Sequence, residues 1–248
     1  IKELCDIVHP QNGIITSIGP QHLESFKTLD AIKKTKFELA DALPENGLLF
    51  LNNDDENIRD HGCKRPFVSY GIENKSDYTA SDISVSERGT TFTVTGPNGE
   101  KESFSTRLIG RHNVLNITGA IAAANKMGIP LSELKGQVRR LEGVPHRLEL
   151  KKKNGLMLID DAYNSNPSGT KAALEALSLF EGFKVLVTPG MVELGEKQEE
   201  LNREFGRNAG EKCDYVVLVG RKQAVPIKQG LLDSGFAEKK IFVADTIE

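Results

Sequence analysis

The chain has 248 residues, 38% of them hydrophobic and 27% charged, and a formal net charge of −3 at pH 7. This length and composition fit a globular protein with one large domain or two ordinary ones, and they exclude the disordered and collagen-like classes. Lysine and arginine are mixed with aspartate and glutamate, without the basic excess that binding to a phosphate backbone requires. We therefore expect no nucleic-acid partner.

The three cysteines, Cys5, Cys63 and Cys213, are widely spaced and odd in number. This pattern fits neither a disulfide framework nor a metal knuckle, and it indicates a reducing cytoplasm. No apolar run is long enough to span a membrane, and the first residues lack a signal-peptide core, so we expect no membrane partner. The sequence opens within a helical pattern and without methionine, and we expect it to be part of a longer protein.

Short apolar strands alternate with an amphipathic helix in the first part of the chain, which predicts a parallel sheet. Alternating segments around the turn Gly96-Pro97-Asn98-Gly99 then predict a small antiparallel sheet attached to it. Two further helices follow. The predicted strands are residues 14–18, 48–51 and 66–70, the antiparallel region is 78–108, and the helices are 29–43, 110–128 and 131–141.

One side chain in this part stands where chemistry is feasible. His22 follows the first strand directly, although a capping or surface histidine is the simpler interpretation. Lys36 lies on the amphipathic helix with Lys33 and Lys34, and lysines on such a helix are usually solvated.

The helix of residues 110–128 carries a pair of amides on its first turn, Asn113 and Asn116. Amides there can cap a helix or pair with the edge of a flat polar ligand. Capping accounts for one of the two.

Residues 142–147, E-G-V-P-H-R, have the composition of a hinge, and we place the domain boundary between residues 143 and 144. Beyond it, strands and helices alternate, which predicts a Rossmann-like domain over 144–248. The predicted strands are 148–152, 156–160, 185–187, 215–219 and 241–244, and the helices are 168–180, 198–209 and 223–233.

The segment L-I-D-D-A-Y-N-S-N-P, residues 158–167, is an apolar strand that ends in a run of polar residues before a helix. In α/β proteins ligands bind at the carboxyl ends of strands, so this run is a candidate site. The alternative is structural: Asp160 and Asp161 form a turn, and Asn166-Pro167 begins the helix.

Five motifs occur here in a fixed order: S-I-G-P-Q-H-L-E-S-F, K-T-K-F-E-L, G-R-H-N-V-L-N, G-V-P-H-R-L-E and D-D-A-Y-N-S-N-P. In this order and spacing the chain resembles the Mur ligases, ATP-dependent amide-bond-forming enzymes of peptidoglycan precursor synthesis. The last motif resembles the branch that adds D-alanyl-D-alanine to UDP-N-acetylmuramoyl-tripeptide. The resemblance implies the remainder of a parallel-sheet central ATPase domain with a small antiparallel sheet, followed by a Rossmann-like C-terminal domain.

The resemblance also implies cofactors, partners and roles. ATP and Mg²⁺ would be the cofactors, UDP-N-acetylmuramoyl-tripeptide and D-alanyl-D-alanine the partners, and we expect a monomer. By matching positions, His22 would bind magnesium and Lys36, as a carbamate, would help to hold a second magnesium ion. Asn113 and Asn116 would face adenine, Arg147 the phosphates or ribose, Asp161 the ribose or phosphates, and Tyr163, Asn164 and Asn166 the incoming dipeptide.

One departure from the family concerns the phosphate-binding loop, G-x-x-x-x-G-K-[ST], which this sequence lacks. The nearest string, G-M-V-E-L-G-E-K at residues 190–197, has a glutamate where the lysine must be. We interpret it as a loop near the peptide substrate, and we expect this chain alone to be inactive. The alternatives are another Mur or folylpolyglutamate-type ligase and a non-catalytic Mur-like module.

Overall fold

A computed structural model describes residues 1–86 and 88–246 of the chain. The described residues form two compact units. The first comprises Ile1–Gly19 and Thr28–Glu142, and the second comprises Pro20–Lys27 and the chain from Gly143 on. Within the described ranges, no helix has both the length and the apolar character needed to cross a membrane.

The helices in chain order are α1 (Lys2–Val8), α2 (Leu23–Phe26), α3 (Leu29–Ala42), α4 (Glu56–His61), α5 (Arg111–Lys126), α6 (Leu131–Arg139), α7 (Pro167–Ser178), α8 (Gln198–Gly210) and α9 (Ala224–Asp233). The strands are β1 (Gly13–Ile15), β2 (Leu49–Asn52), β3 (Val68–Gly71), β4 (Tyr78–Ser86), β5 (Gly89–Thr95), β6 (Lys101–Thr106), β7 (Glu149–Lys153), β8 (Leu156–Asp160), β9 (Val185–Thr188), β10 (Tyr215–Val219) and β11 (Ile241–Ala244). Short 3-10 turns cover Gly195–Lys197 and Glu238–Lys240.

The first unit is built on one six-stranded sheet with the order β1-β2-β3-β4-β5-β6. Strands β1 to β4 pair in parallel, and β4, β5 and β6 pair antiparallel. Strand β4 belongs to both parts, so the antiparallel region continues the parallel sheet. The mixed α/β fold predicted from the sequence is confirmed.

Helix α5 packs on this sheet through its small and apolar residues. Val114 and Ala122 are fully buried in the core that also holds Tyr70 and Phe92. Gly119 faces the Tyr70 ring so closely that a Cβ there would lie 2.8 Å from Tyr70 Cζ. The glycine therefore permits the close approach of helix and sheet.

The second unit contains a parallel three-stranded sheet with the order β11-β10-β9. Val216 and Leu218 of β10 are fully buried in a core shared with Phe205 of α8 and Ile227 of α9. The alternation of β10 thus places one face of this sheet against the helices.

Strand β8 differs from the sequence expectation, which placed residues 156–160 in the Rossmann-like sheet. It pairs antiparallel with β7 in a separate two-stranded sheet. The physical reason is the connection: only Asn154 and Gly155 join the strands, both with positive φ (51° and 79°), and a two-residue turn of this kind imposes hairpin pairing.

Candidate functional site

The segment that leads towards His22 is held by side chains and not by a strand. The sequence predicted a strand over 14–18, whereas β1 ends at Ile15. Asn52 Nδ2 donates to Thr16 O at 2.8 Å, and Asp55 Oδ2 accepts from Ile18 N at 2.8 Å. Asn57 Nδ2 donates to Ile18 O at 2.8 Å. These bonds satisfy backbone groups that would otherwise pair in the sheet.

His22 stands at the N-cap of α2 in the left-handed region, with φ 49°. Its carbonyl accepts from Ser25 N and Phe26 N, but its side chain makes no capping bond. The ring is half exposed, and its Nδ1 lies 2.6 Å from Glu193 Oε2. The imidazole is therefore not a helix cap.

The loop of Glu193 is anchored on both sides of that residue. Met191 and Leu194 are each 1% exposed. The fully buried amide of Asn202 accepts from Met191 N and donates to Met191 O, each at 2.9 Å. The loop is thus fixed to the core while Glu193 stays exposed.

Lys36 is exposed on α3, whereas Lys33 on the same helix is half-buried. A carbamate forms only from the neutral amine, which partial burial of Lys36 or a neighbouring positive charge would favour. The first unit does not provide that burial. The exposed face of an amphipathic helix explains the difference.

The two amides of α5 have different surroundings. Asn113 Nδ2 donates to Ile109 O at 2.9 Å, which ties the first turn to the preceding loop. Asn116 is exposed, and no protein partner is found for it within the described ranges. The N-cap of α5 is Gly110, so neither amide caps the helix. Among the described residues, the side-chain amide of Asn116 is therefore available to a ligand.

Arg147 and Tyr163 form a stacked pair in the second unit. The guanidinium carbon lies 4.2 Å from the ring centroid, and Tyr163 N donates to His146 O at 3.2 Å. Both side chains are exposed. Stacking on an aromatic face orients a guanidinium and leaves its N–H donors available at the rim.

Asp161 lies beside this pair and is partly buried. Its Oδ1 accepts from Leu148 N at 3.1 Å, and Leu148 has a positive φ of 47°. Burial raises the pKa of Asp161, and the Leu148 N–H and the charge of Arg147 oppose that rise. The carboxylate therefore helps to hold the residues next to Arg147.

A charged cluster that the sequence did not predict surrounds Asp160. Its Oδ2 lies 2.7 Å from Lys151 Nζ and 2.9 Å from His146 Nδ1. The Lys151 ammonium also lies 2.9 Å from Glu149 Oε2. The hydrogen bond from Lys151 is the main cause that lowers the pKa of Asp160 to about 2.

His146, Glu149 and Asp160 have ligand atoms within 4.8 Å of one another. The Lys151 ammonium already supplies positive charge to both carboxylates. We therefore interpret the cluster as an ion-pair network that braces the β7-β8 hairpin.

The two asparagines of the D-D-A-Y-N-S-N-P motif have local partners. Asn166 is the N-cap of α7, where its Oδ1 accepts from Gly169 N at 2.9 Å and Pro167 follows in the first turn. Asn164 is exposed, and its Oδ1 accepts from Ser165 N at 2.8 Å. Asn166 thus begins the helix, which was the structural alternative for this motif.

The second unit brings Arg147, Asp161 and Tyr163 together. Sequence reasoning missed Glu193 and the partners of Asp160. Glu193 is the one carboxylate in the otherwise apolar string G-M-V-E-L-G, which was a signal for it. The lysine run in β7 gave no signal for the partners of Asp160, because Lys151 does not differ in type from its exposed neighbours.

Comparison with known proteins gives two family matches that follow one another along the chain. Residues 2–124 match the Mur ligase middle domain, and residues 146–248 match the Mur ligase glutamate ligase domain. UDP-N-acetylmuramoyl-tripeptide–D-alanyl-D-alanine ligase of Bacillus subtilis is 33% identical over 252 residues, which cover 97% of this chain and 54% of that protein. The chain spans about half the length of the curated relatives it matches.

Solved structures agree with these matches. A crystal structure of MurF from Acinetobacter baumannii superposes with a TM-score of 0.87 at 27% identity and covers 98% of this chain and 52% of that one. MurF from Thermotoga maritima in complex with ADP gives a TM-score of 0.85 at 25% identity and covers 99% and 55%. Because both matched domains and the fold agree along nearly the whole length, this chain belongs to the Mur ligase family.

Proposed function

We propose that the complete gene product is an ATP-dependent amide-bond ligase that joins D-alanyl-D-alanine to UDP-N-acetylmuramoyl-tripeptide in the cytoplasm. One observation carries the proposal: the similarity to ligases named for this reaction runs through 97% of the chain and both domains. The stacked Arg147 and the free Asn116 amide supply the kinds of donor that phosphates and adenine require.

The proposed reaction has two steps. A carboxylate oxygen of the tripeptide attacks the γ-phosphorus of ATP, the bond to the β-phosphate oxygen breaks, and an acyl phosphate and ADP form. The amine of D-alanyl-D-alanine then attacks the carbonyl carbon, loses a proton, and expels inorganic phosphate from the tetrahedral intermediate. Both steps concentrate negative charge, so catalysis depends on positioned cations and on donors that are fixed in advance.

Arg147 is the cation that we assign to the phosphates or ribose of ATP. Tyr163 holds its guanidinium by stacking, and Asp161 holds the adjoining backbone through Leu148 N. Asn116, and with it Asn113, would face the adenine edge. Tyr163, Asn164 and Asn166 remain the proposed contacts for the incoming dipeptide.

The residues present fit magnesium at His22. Mg²⁺ usually keeps waters and substrate phosphates and takes only one or two protein ligands. The half-exposed His22 ring meets this need, because the described residues engage only its Nδ1. Bound magnesium would neutralise the charge that gathers on the phosphate oxygens. Lys36 would contribute oxygen donors to a second ion only as a carbamate.

An acceptor panel tests the proposal. The complete gene product is given ATP, magnesium and UDP-N-acetylmuramoyl-tripeptide, and phosphate release is measured with D-alanyl-D-alanine, L-alanine, L-glutamate or no amine. We expect release to depend on D-alanyl-D-alanine. Dependence on another amine would indicate a different Mur or folylpolyglutamate-type ligase, and no amine-dependent release would indicate a non-catalytic module.

A further inference from the structure

The contact between His22 and Glu193 joins residues 171 positions apart in the sequence. The distance of 2.6 Å from Nδ1 to Oε2 is that of a short, charge-assisted hydrogen bond. Throughout residues 1–86 and 88–246, no other hydrogen bond of the His22 ring is found. One nitrogen of the ring is therefore held and the other is open.

Both residues adopt the left-handed backbone region, His22 with φ 49° and Glu193 with φ 60°. For residues with a Cβ this region costs about 1–2 kcal/mol each. Such strain persists only where the surroundings fix the conformation, and it concentrates at functional sites. Two strained residues that meet through their side chains therefore point to a requirement for this geometry.

A contribution of the ion pair to the stability of the fold does not explain why this geometry is required. The side chains of His22 and Glu193 are 50% and 57% exposed, and exposed ion pairs contribute only about 0–1 kcal/mol. The loop that contains Glu193 is already fixed without the ion pair, by buried Met191 and Leu194 and by the Asn202 amide. What the contact supplies is the orientation of the imidazole.

We propose that Glu193 is a positioning residue that accepts the Nδ1–H of His22 and thereby directs the lone pair of Nε2 outward for a metal ion. The metal part rests on the proposed function, in which His22 binds magnesium. Histidine ligands in proteins commonly donate their second N–H to a carboxylate, which fixes both tautomer and ring orientation. From the sequence we expected the loop of Glu193 near the peptide substrate, with no role for that glutamate.

The first experiment measures the His22 tautomer in this chain by ¹⁵N NMR of the ring nitrogens, at about pH 8, where an ordinary histidine is neutral. We expect the proton on Nδ1 in the parent chain. Glu193→Ala should lower the fraction protonated at Nδ1 several-fold, because the Nε2-protonated form then becomes available. Glu193→Gln should preserve the parent tautomer, since its amide oxygen still accepts.

Glu196→Ala is the matched control, because Glu196 is an exposed carboxylate in the adjacent 3-10 turn and makes no hydrogen bond or ion pair with His22 among the described residues. It should leave the ring signals unchanged. If Glu193→Ala keeps the parent tautomer while the thermal unfolding midpoint is also unchanged, Glu193 does not position His22 and the inference is overturned.

The second experiment adds Mn²⁺, a paramagnetic substitute for Mg²⁺, and follows the broadening of the His22 signals. The concentration required should rise about 10-fold or more in Glu193→Ala, the usual effect of losing the partner of a ligand. If Glu193→Ala shifts the tautomer but Mn²⁺ never broadens His22 in any variant, the positioning contact stands. In that case the metal assignment of the proposed function fails.

Discussion

The guanidinium carbon of Arg147 lies 4.2 Å from the ring centroid of Tyr163, at the junction between residues 142–147 and the D-D-A-Y-N-S-N-P motif. The ring is anchored at its backbone by the bond from Tyr163 N to His146 O. The stack therefore joins two of the motifs that identify the family.

This pair predicts a difference between two substitutions of Tyr163. Tyr163→Phe keeps an aromatic face under the cation and should leave the KM for ATP in the complete gene product nearly unchanged. Tyr163→Leu removes a contact of about 0.5–1 kcal/mol, so the KM should rise about 2- to 5-fold. An equal rise in both variants would assign the effect to the hydroxyl and not to the stack.

The ion-pair network at Asp160 predicts a pH dependence of stability. The pKa of Asp160 falls from 3.8 to about 2 in the folded chain, mainly because of Lys151. A carboxyl with a lowered folded pKa stabilises the fold above its unfolded pKa, and this contribution is lost as the pH falls. Lys151→Met should therefore lower the urea midpoint at neutral pH, and the gap to the parent should close between about pH 4 and 2.

Lys152→Met is the matched control for this measurement, because Lys152 is exposed and no partner for it is found within the described residues. Its urea midpoint should follow that of the parent at every pH. A gap between the parent and Lys151→Met that stays constant down to pH 2 would contradict the role given to Asp160.

Substitutions of the two amides of α5 should differ in their effects on stability and on the KM for ATP. Asn113→Ala loses the hydrogen bond to Ile109 O and should destabilise the first unit by about 1 kcal/mol. Asn116→Ala changes an exposed residue and should shift stability by less than about 0.5 kcal/mol, while it raises the KM for ATP. If Asn116→Ala leaves that KM unchanged, adenine does not contact it.

Lys36 is tested by chemical rescue in the complete gene product. A lysine ammonium is repelled by divalent cations, whereas a carbamate offers the oxygen ligands that magnesium prefers. Lys36→Ala should therefore remove most of the activity, and short carboxylic acids should restore part of it. Lys33→Ala, three residues earlier on α3, should leave the activity nearly unchanged. Full turnover of Lys36→Ala without added acid would leave Lys36 as a solvated surface lysine.

Local elements were predictable from the sequence because their causes are local. Strands β10 and β11 have the bounds that alternation and turn residues indicate, and the N-cap of α7 follows from Asn166-Pro167. The β8 pairing was also set locally, by the Asn154-Gly155 turn. The apolar run Leu156–Ile159 nevertheless suggested a strand of the Rossmann-like sheet, because its length and composition suit a buried strand.

The long-range parts of the site were not predictable in this way. The approach of Glu193 to His22 depends on the packing of Pro20–Lys27 against the rest of the second unit, which no periodicity encodes. The bond between Lys151 and Asp160 depends on hairpin register, since Lys151 stands opposite Leu158 and reaches its partner diagonally. In both cases the residue types were visible in the sequence and their neighbours were not.

The proposed activation of a carboxylate as an acyl phosphate by the complete protein is tested most directly by isotope transfer. UDP-N-acetylmuramoyl-tripeptide labelled with ¹⁸O in the reacting carboxylate is incubated with ATP, magnesium and D-alanyl-D-alanine, and the released phosphate is analysed by mass spectrometry. The proposed route places one ¹⁸O atom in each inorganic phosphate formed, because the bridging oxygen leaves with phosphorus. Unlabelled phosphate, or label found in AMP, would contradict it.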